Sequence, residues 1–222
     1  MDNKRIALIL PCKNEESSVR KVIMDWKAVL PEDARVYLCD NNCTDKSAEI
    51  AEACGAVVLK ETEPGKGCAV KCLLNHVDAD VYIMTDVDDT YPATMDVVTP
   101  VLEGKYDICI GDRMSCGSKF DKQSSRIKHI GNKMFFGMCR LFLGKEIKDP
   151  LSGLRVFTKQ FIVGLQLSDG FEIEMEMNKH IAKKKFRVLY VPIDYKTRHG
   201  DEKSKISVFG DGWKIMKTML KR

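Results

Sequence analysis

Residues Tyr82–Pro92 read YIMTDVDDTYP. An apolar run ends in three aspartates within four positions, Asp86, Asp88 and Asp89, and a Tyr-Pro follows. Like charges that close repel, so the crowding costs free energy unless a cation or a proton offsets it. The run that precedes them decides the fold, because the chain contains four others of the same kind. RIALIL, RVYLCD, AVVLKE and YDICIGD are short, continuously apolar and end in polar residues. Such runs read as strands buried on both faces, the habit of parallel sheets.

Helical patterns lie between them. Val19, Ile23, Trp26, Val29 and Leu30 recur at helical spacing. Thr44 or Asp45 can cap a helix that runs through Ala53 and stops at Gly55. Lys66–His76 and Ala93–Glu103 supply two more. Strand and helix thus alternate through residue 112, which predicts an α/β, doubly wound layer. Ligands of such sheets sit beyond the carboxyl ends of the strands. Here those ends are PCKNEE, DNNCTD, ETEPGKG, TDVDDTYP and GDRM. Four carry acids at the exit, more than loop polarity alone explains, so the five loops are expected to build one site.

The second half is less regular. RIKHIGNKMFFGMCRLFLGKEIKDP is a basic and apolar helical pattern, LSGLRVF a short strand, and GFEIEMEMNKHIAKKK a helix whose acidic start suits the helix dipole. FRVLYVPIDYKTR returns to strand. In the tail, Trp213, Ile215, Met216, Met219 and Leu220 oppose Lys214, Lys217, Lys221 and Arg222, an amphipathic helix. No repeat or low-complexity linker divides the chain. The expectation is a single domain over 1–222, with a nucleotide-binding half (1–112), an acceptor-binding half (113–204) and a C-terminal amphipathic helix (205–222).

Composition narrows the class. The 222 residues are 44% hydrophobic and 31% charged, with a net charge of +4. That is an ordinary globular balance and gives no sign of a nucleic-acid partner. The nine cysteines are odd in number, form no C-x-x-C, and several sit in apolar runs. They read as free thiols in a reducing cytoplasm. No apolar run is long enough to span a bilayer.

Two chemistries fit the aspartates. DVDDT matches the D-x-D-x-T pattern of haloacid-dehalogenase-type phosphatases, with Asp86 as nucleophile and Asp88 as acid/base. That motif normally closes the first strand of its fold, whereas three strand-helix units come first here. The alternative is Mg²⁺ or Mn²⁺ held by Asp86 and Asp88 on a nucleotide diphosphate, offsetting the leaving-group charge. It requires a nucleoside pocket on the earlier exits. Asp40 can accept from a base N–H. The Pro11–Glu15 turn, with Asn14, offers a carboxylate to ribose hydroxyls. PGKG offers close backbone approach and the cation of Lys66.

The order LPCKNEE, DNNCTD, GKG, TDVDDTYP, GDR, DPLSGLRVF, GFEIEMEM, RHGDEKSK resembles the family 2 glycosyltransferases of GT-A fold. Within them it is similar to the polyprenyl-phosphate sugar transferases, including dolichyl-phosphate mannose synthases. The resemblance runs from Ile6 to about residue 216. It implies a mostly parallel central sheet flanked by helices, and an inverting transfer from a nucleotide-sugar, UDP-linked or GDP-mannose. The implied acceptor is a polyprenyl phosphate, with a saccharide hydroxyl as the alternative. Pro11, Glu15 and Asp40 would contact the nucleoside, and Asp86 and Asp88 would form the D-x-D pair, with Asp88 the direct ligand. Where the family often places Gln, this chain has Thr90 and Tyr91. Asp89 is expected to face solvent or cap the next helix.

An ionised acceptor phosphate needs cations to place it rather than a strong base. Arg113 is the first candidate, helped by Arg126 or Lys128, with Ser152 also on the acceptor side. Arg198 and Lys205 would close over the diphosphate, His199 is read as incidental, and Arg155 as structural. A hydroxyl acceptor would need a base, for which Asp149, Glu172 and Glu174 are the candidates. The basic, apolar stretch from Arg126 to Lys145 is expected to touch the inner membrane face peripherally.

Overall fold

A computed structural model describes residues 4–115, 136–144, 147–196 and 215–218. Five strands occupy the five apolar runs: β1 (Ile6–Cys12), β2 (Arg35–Asp40), β3 (Val57–Lys60), β4 (Val81–Met84) and β5 (Ile108–Asp112). Helices α1 (Val19–Val29), α2 (Ser47–Ala53), α3 (Lys66–His76) and α4 (Thr99–Leu102) separate them. In the second half come a helical segment at 136–143 (α5), β6 (Arg155–Thr158), α6 (Lys159–Ile162), α7 (Ile173–Lys184), β7 (Val188–Pro192) and a helical turn at 215–218.

All seven strands form one sheet in the order β3-β2-β1-β4-β6-β5-β7. β1 pairs in parallel with β2 and β4, β2 with β3, and β5 with β7. β6 is the exception, running antiparallel between β4 and β5. The expected α/β layer is present, but β4 and β5 are not neighbours. The reversal matters for the site. β6 starts where its neighbours end, so the 149–154 loop reaches the same sheet edge as the five exits.

Alternation along the strands builds two cores. Leu8, Leu10, Leu38 and Ile83 face α1, α2 and α4, where Trp26 is the largest side chain fully buried. Ala7, Ile9, Tyr82 and Met84 face α3, α6 and α7. Burying one such side chain contributes about 1.5–3 kcal/mol.

Two helices differ from expectation. Ala93–Glu103 is helical only over Thr99–Leu102, after a turn closed by the Thr99 N–H to the Met95 carbonyl. Pro100 sits in the first turn, where a missing N–H is harmless; further into a helix it would break the hydrogen-bond ladder. In α1, Val29 is exposed and the buried stripe is Val19, Val22, Ile23 and Trp26. Asp45 does the work of a cap, accepting from the Ser47 N–H at 3.0 Å and its hydroxyl at 2.6 Å.

Candidate active site

The β4 exit folds back on itself. Asp88 Oδ1 accepts from the Thr90 hydroxyl at 2.6 Å and from the Thr90 N–H at 3.2 Å. This Asx-type turn fixes the carboxylate. The buried Thr90 thus orients the second aspartate of the pair. Asp89 takes a left-handed backbone (φ 57) and pairs with Lys21 of α1 at 2.9 Å. It neither faces open solvent nor caps a helix, contrary to expectation.

Asp86 meets a cation. Lys66 Nζ lies 2.6 Å from Asp86 Oδ1 and 2.6 Å from Glu174 Oε1 of α7. Burial works against the ammonium charge, but the two carboxylates outweigh it and hold Lys66 well above its ordinary range. On its other side Asp86 rests against Gly153, where a Cβ would stand 2.4 Å from Asp86 Oδ2. Tyr91 Oη accepts from the Gly153 N–H at 2.8 Å, which sets the height of that loop.

Glycines in PGKG do permit a close backbone approach, but the partner is protein. The Gly67 N–H donates to the carbonyls of Asp169 and Gly170 at 2.8 and 3.1 Å. A Cβ at Gly67 would lie 2.0 Å from the Ser168 carbonyl oxygen. The first turn of α3 is thereby capped by the 168–170 segment. Lys71 also pairs with Asp169, so α3 is tied to the approach to α7.

Arg113 and Asp149, expected respectively on the acceptor and as a base, hold one another. Arg113 Nε and Nη2 each donate to the wholly buried Asp149 carboxylate at 2.8 Å, and the Arg113 N–H adds a third bond at 3.1 Å. The guanidinium lies 5.2 Å from the centre of the Tyr195 ring, and Tyr195 packs edge-on against Tyr91. Burial opposes the Arg113 charge; Tyr91 and Asp149 outweigh it and keep the group well above its ordinary range. Beneath them Arg155, also fully buried, donates to the carbonyls of Ser152 and Pro150 and to Asn178 Oδ1. Its role is structural, as expected: it ties the 149–153 loop to α7. Ser152 Oγ is buried with no hydrogen-bond partner among the described residues.

The side expected to take the nucleoside is built by β1, β2 and the loops after them. Pro11 is in β1, and Glu15 is buried, its N–H donating to Ser47 Oγ at 2.8 Å. Asn14, in a left-handed conformation (φ 50), spends its amide on the next loop, accepting from the Thr44 N–H at 2.7 Å. Asp40 Oδ1 accepts from the Cys43 N–H at 2.8 Å. Asn41, which sequence reasoning passed over, is the organiser. Buried at the β2 exit, it donates to the carbonyls of Glu61 and Glu63 and accepts from the Gly65 N–H. Its signal was the side chain itself, a donor-acceptor amide directly after a strand.

Of the candidate bases at the start of α7, Glu174 is held by Lys66. Glu172 has a buried Oε2 with no hydrogen-bond partner among the described residues. Arg126, Lys128, Arg198, His199 and Lys205 lie outside the described residues. Among the described residues no three His, Cys, Asp or Glu side chains cluster as a metal cage. Asp86 and Asp88 nonetheless suit Mg²⁺ or Mn²⁺. These ions prefer oxygen donors and are commonly held by one or two carboxylates plus substrate phosphates. Lys66 engages Asp86 Oδ1 here, so an ion at this position would share the carboxylate with that ammonium or displace it.

A seven-stranded, mostly parallel sheet of this topology, with helices on both faces, is the GT-A fold. The chain belongs to glycosyl transferase family 2, whose sequence profile matches residues 7–163, and it is a glycosyltransferase. Glycosyltransferase AglJ of Haloferax volcanii is 32% identical over 98% of this chain and 71% of its own length. Dolichyl-phosphate hexose transferase of the same organism is 26% identical over 97% of this chain and 92% of its own. Glucosyl-3-phosphoglycerate synthase from Mycobacterium tuberculosis, solved with Mg²⁺ and uridine-diphosphate, superposes with a TM-score of 0.78. That match spans 98% of this chain and 79% of the other at 18% identity, a likeness of fold. Family membership also selects transfer over the phosphatase alternative for DVDDT.

Proposed function

We propose that this chain is a metal-dependent, inverting transferase that moves a sugar from a nucleotide diphosphate to a polyprenyl phosphate at the cytoplasmic membrane face. The observation that carries it is the turn at the β4 exit in which Thr90 holds the Asp88 carboxylate two residues after Asp86. Asp86 and Asp88 would hold the divalent ion. When bound, the ion neutralises charge on the departing diphosphate. The remaining work falls to the protein. Asp40 and Glu15 orient the nucleoside. Arg113, clamped by Asp149 and backed by Tyr195, fixes a positive charge on the acceptor side at a set height. An acceptor phosphate arrives ionised, so a pre-positioned cation rather than a base is what the step needs. UDP-sugars are favoured over GDP-mannose as donors; the dolichyl-phosphate hexose transferase relative supports the lipid acceptor.

Thermal stability tests this. UDP or GDP is expected to raise Tm only with Mg²⁺ or Mn²⁺, and Asp88→Ala to abolish the shift. A full shift in Asp88→Ala would defeat the metal assignment.

Membrane contact is supported by α5. Cys139 packs into a small core with Met175 and Ile215, while Leu141 and Phe142 of the same helix are 79% and 55% exposed. Among the described residues no helix is long and apolar enough to cross a membrane; the contact proposed is peripheral. Absence of sedimentation with anionic vesicles at low salt would remove this part of the proposal.

One observation favours a second acceptor class. The buried Glu172 Oε2, without a hydrogen-bond partner among the described residues, is what a general base for a saccharide hydroxyl would present. Glu172→Gln would then stop transfer to a hydroxyl, whereas transfer to a lipid phosphate would survive it.

A further inference from the structure

The end of β1 and the loop after β2, at the side proposed for the nucleoside, carry thiols that the transfer chemistry leaves unused. Cys12 is the last residue of β1, and Cys43 lies between β2 and α2. Their sulfurs are 4.0 Å apart. Cys43 Sγ is also 3.6 Å from the Cys12 carbonyl oxygen and accepts from the Asn14 N–H at 3.3 Å. A disulfide bond is about 2.05 Å long, so closing the pair takes roughly 2 Å of movement. Cys12 is buried in the rigid sheet, and Cys43 is half-buried on a loop. The closing movement therefore falls on the loop, against its bonds to Asp40 and Asn14, and an oxidant reaches Cys43 first.

We propose that Cys12 and Cys43 are a modification site, forming a reversible intramolecular disulfide that closes the nucleoside pocket. The chemistry needs a two-electron oxidant, and hydrogen peroxide is the class intended. The Cys43 thiolate attacks one peroxide oxygen, giving a sulfenic acid and hydroxide. The Cys12 sulfur then displaces the sulfenic oxygen, loses its proton and forms the S–S bond, and water leaves. Two thiols are oxidised and one peroxide is reduced to two waters. Roles follow from the surroundings. The contact with Cys12 is the main influence holding Cys43 below the ordinary thiol range; burial opposes it and the Asn14 N–H assists. Its partner and then burial push Cys12 up. Cys43, half-buried where Cys12 is buried, is the thiol that meets the oxidant, and Cys12 is the resolving thiol.

The consequence for binding follows from the hydrogen bonds around the pair. The Cys43 N–H is held by Asp40 Oδ1, and the next residue, Thr44, by Asn14. Drawing Cys43 onto Cys12 pulls these anchors with it and moves Asp40 relative to Glu15. This step rests on the assignment of Asp40 and Glu15 to the nucleoside.

The test uses the full chain, treated with a small excess of hydrogen peroxide and then mapped by non-reducing peptide mass spectrometry. A Cys12–Cys43 linked peptide is expected, reversed by dithiothreitol. Its formation is expected to weaken UDP–Mg²⁺ or GDP–Mg²⁺ binding at least tenfold. Cys43→Ser is expected to keep nucleotide binding after peroxide. Failure to find the linked peptide overturns the proposal, as does a linked protein that binds nucleotide as the reduced one does. If the reduced protein binds neither nucleotide, the nucleoside assignment is what fails. The mapped peptide then still decides whether the thiols join.

Discussion

Lys66 makes the sharpest residue-scale case. A cation between two carboxylates, with little of its side chain exposed to solvent, is stabilising only while all three are present. Removing one member of such a group leaves buried charge without a counter-ion and costs about 3 kcal/mol. Lys66→Met is therefore expected to lower the Tm of the ligand-free protein. It also leaves Asp86 open to another cation. Millimolar Mg²⁺ should then stabilise Lys66→Met more than it stabilises the natural protein; equal shifts in the two would refute the competition. Part of this was legible in the sequence. GKG announced a cation, and GFEIEMEM announced acids at a helix start. Their meeting was not, because Lys66 and Glu174 are 108 residues apart and spacing carries no information over that range. Arg113 and Asp149 repeat the lesson: each was picked out as a chemical group, and neither showed that it would hold the other.

At the scale of elements, the apolar strands were easy to read because β1, β4 and β5 are buried on both faces, although β3 at the sheet edge is only partly covered. The 149–155 loop was not. DPLSGLRVF shows a short strand after a glycine, but nothing in four apolar or basic residues states which way the strand runs. Its reversal is what brings Gly153 onto Asp86. Gly153 is not at positive φ, so the reason for glycine there is space. Gly153→Ala should thus test the contact without straining the backbone. Its Cβ would meet Asp86 Oδ2 and Cγ at 2.4 and 3.0 Å, and Asp86, half-exposed on its other side, is the group that can yield. The expected result is a fold that unfolds within about 1 kcal/mol of the natural protein, as for a change whose neighbour can give way. Its nucleotide–Mg²⁺ shift in Tm is expected to be lost. A preserved shift would mean that Asp86 can move aside without harm to the site.

For the whole molecule, the division expected at residue 112 is not a boundary of folding. β5 ends the first half, yet its sheet partners are β6 and β7, both from the second. β6 also closes the open side of β4. Both cores draw on the second half: Leu154, Val156 and Ile193 on one face, and Phe157, Phe161, Ile173 and Met177 on the other. The capping of α3 by Asp169 and Gly170 adds a further tie. A fragment ending at Asp112 would expose the edge of β4 and strand β5, with apolar faces left uncovered. Unpaired edges of that kind promote association, and the lost burial removes the driving force for a fixed core. Such a fragment is expected to show no cooperative urea transition and to bind a hydrophobic dye, whereas the full chain unfolds in one transition. A cooperative transition in the fragment, with a nucleotide–Mg²⁺ shift, would show instead that the first half folds and binds by itself. In that case Lys66 would hold Asp86 without Glu174, and the bridge between the halves would be dispensable for the donor site.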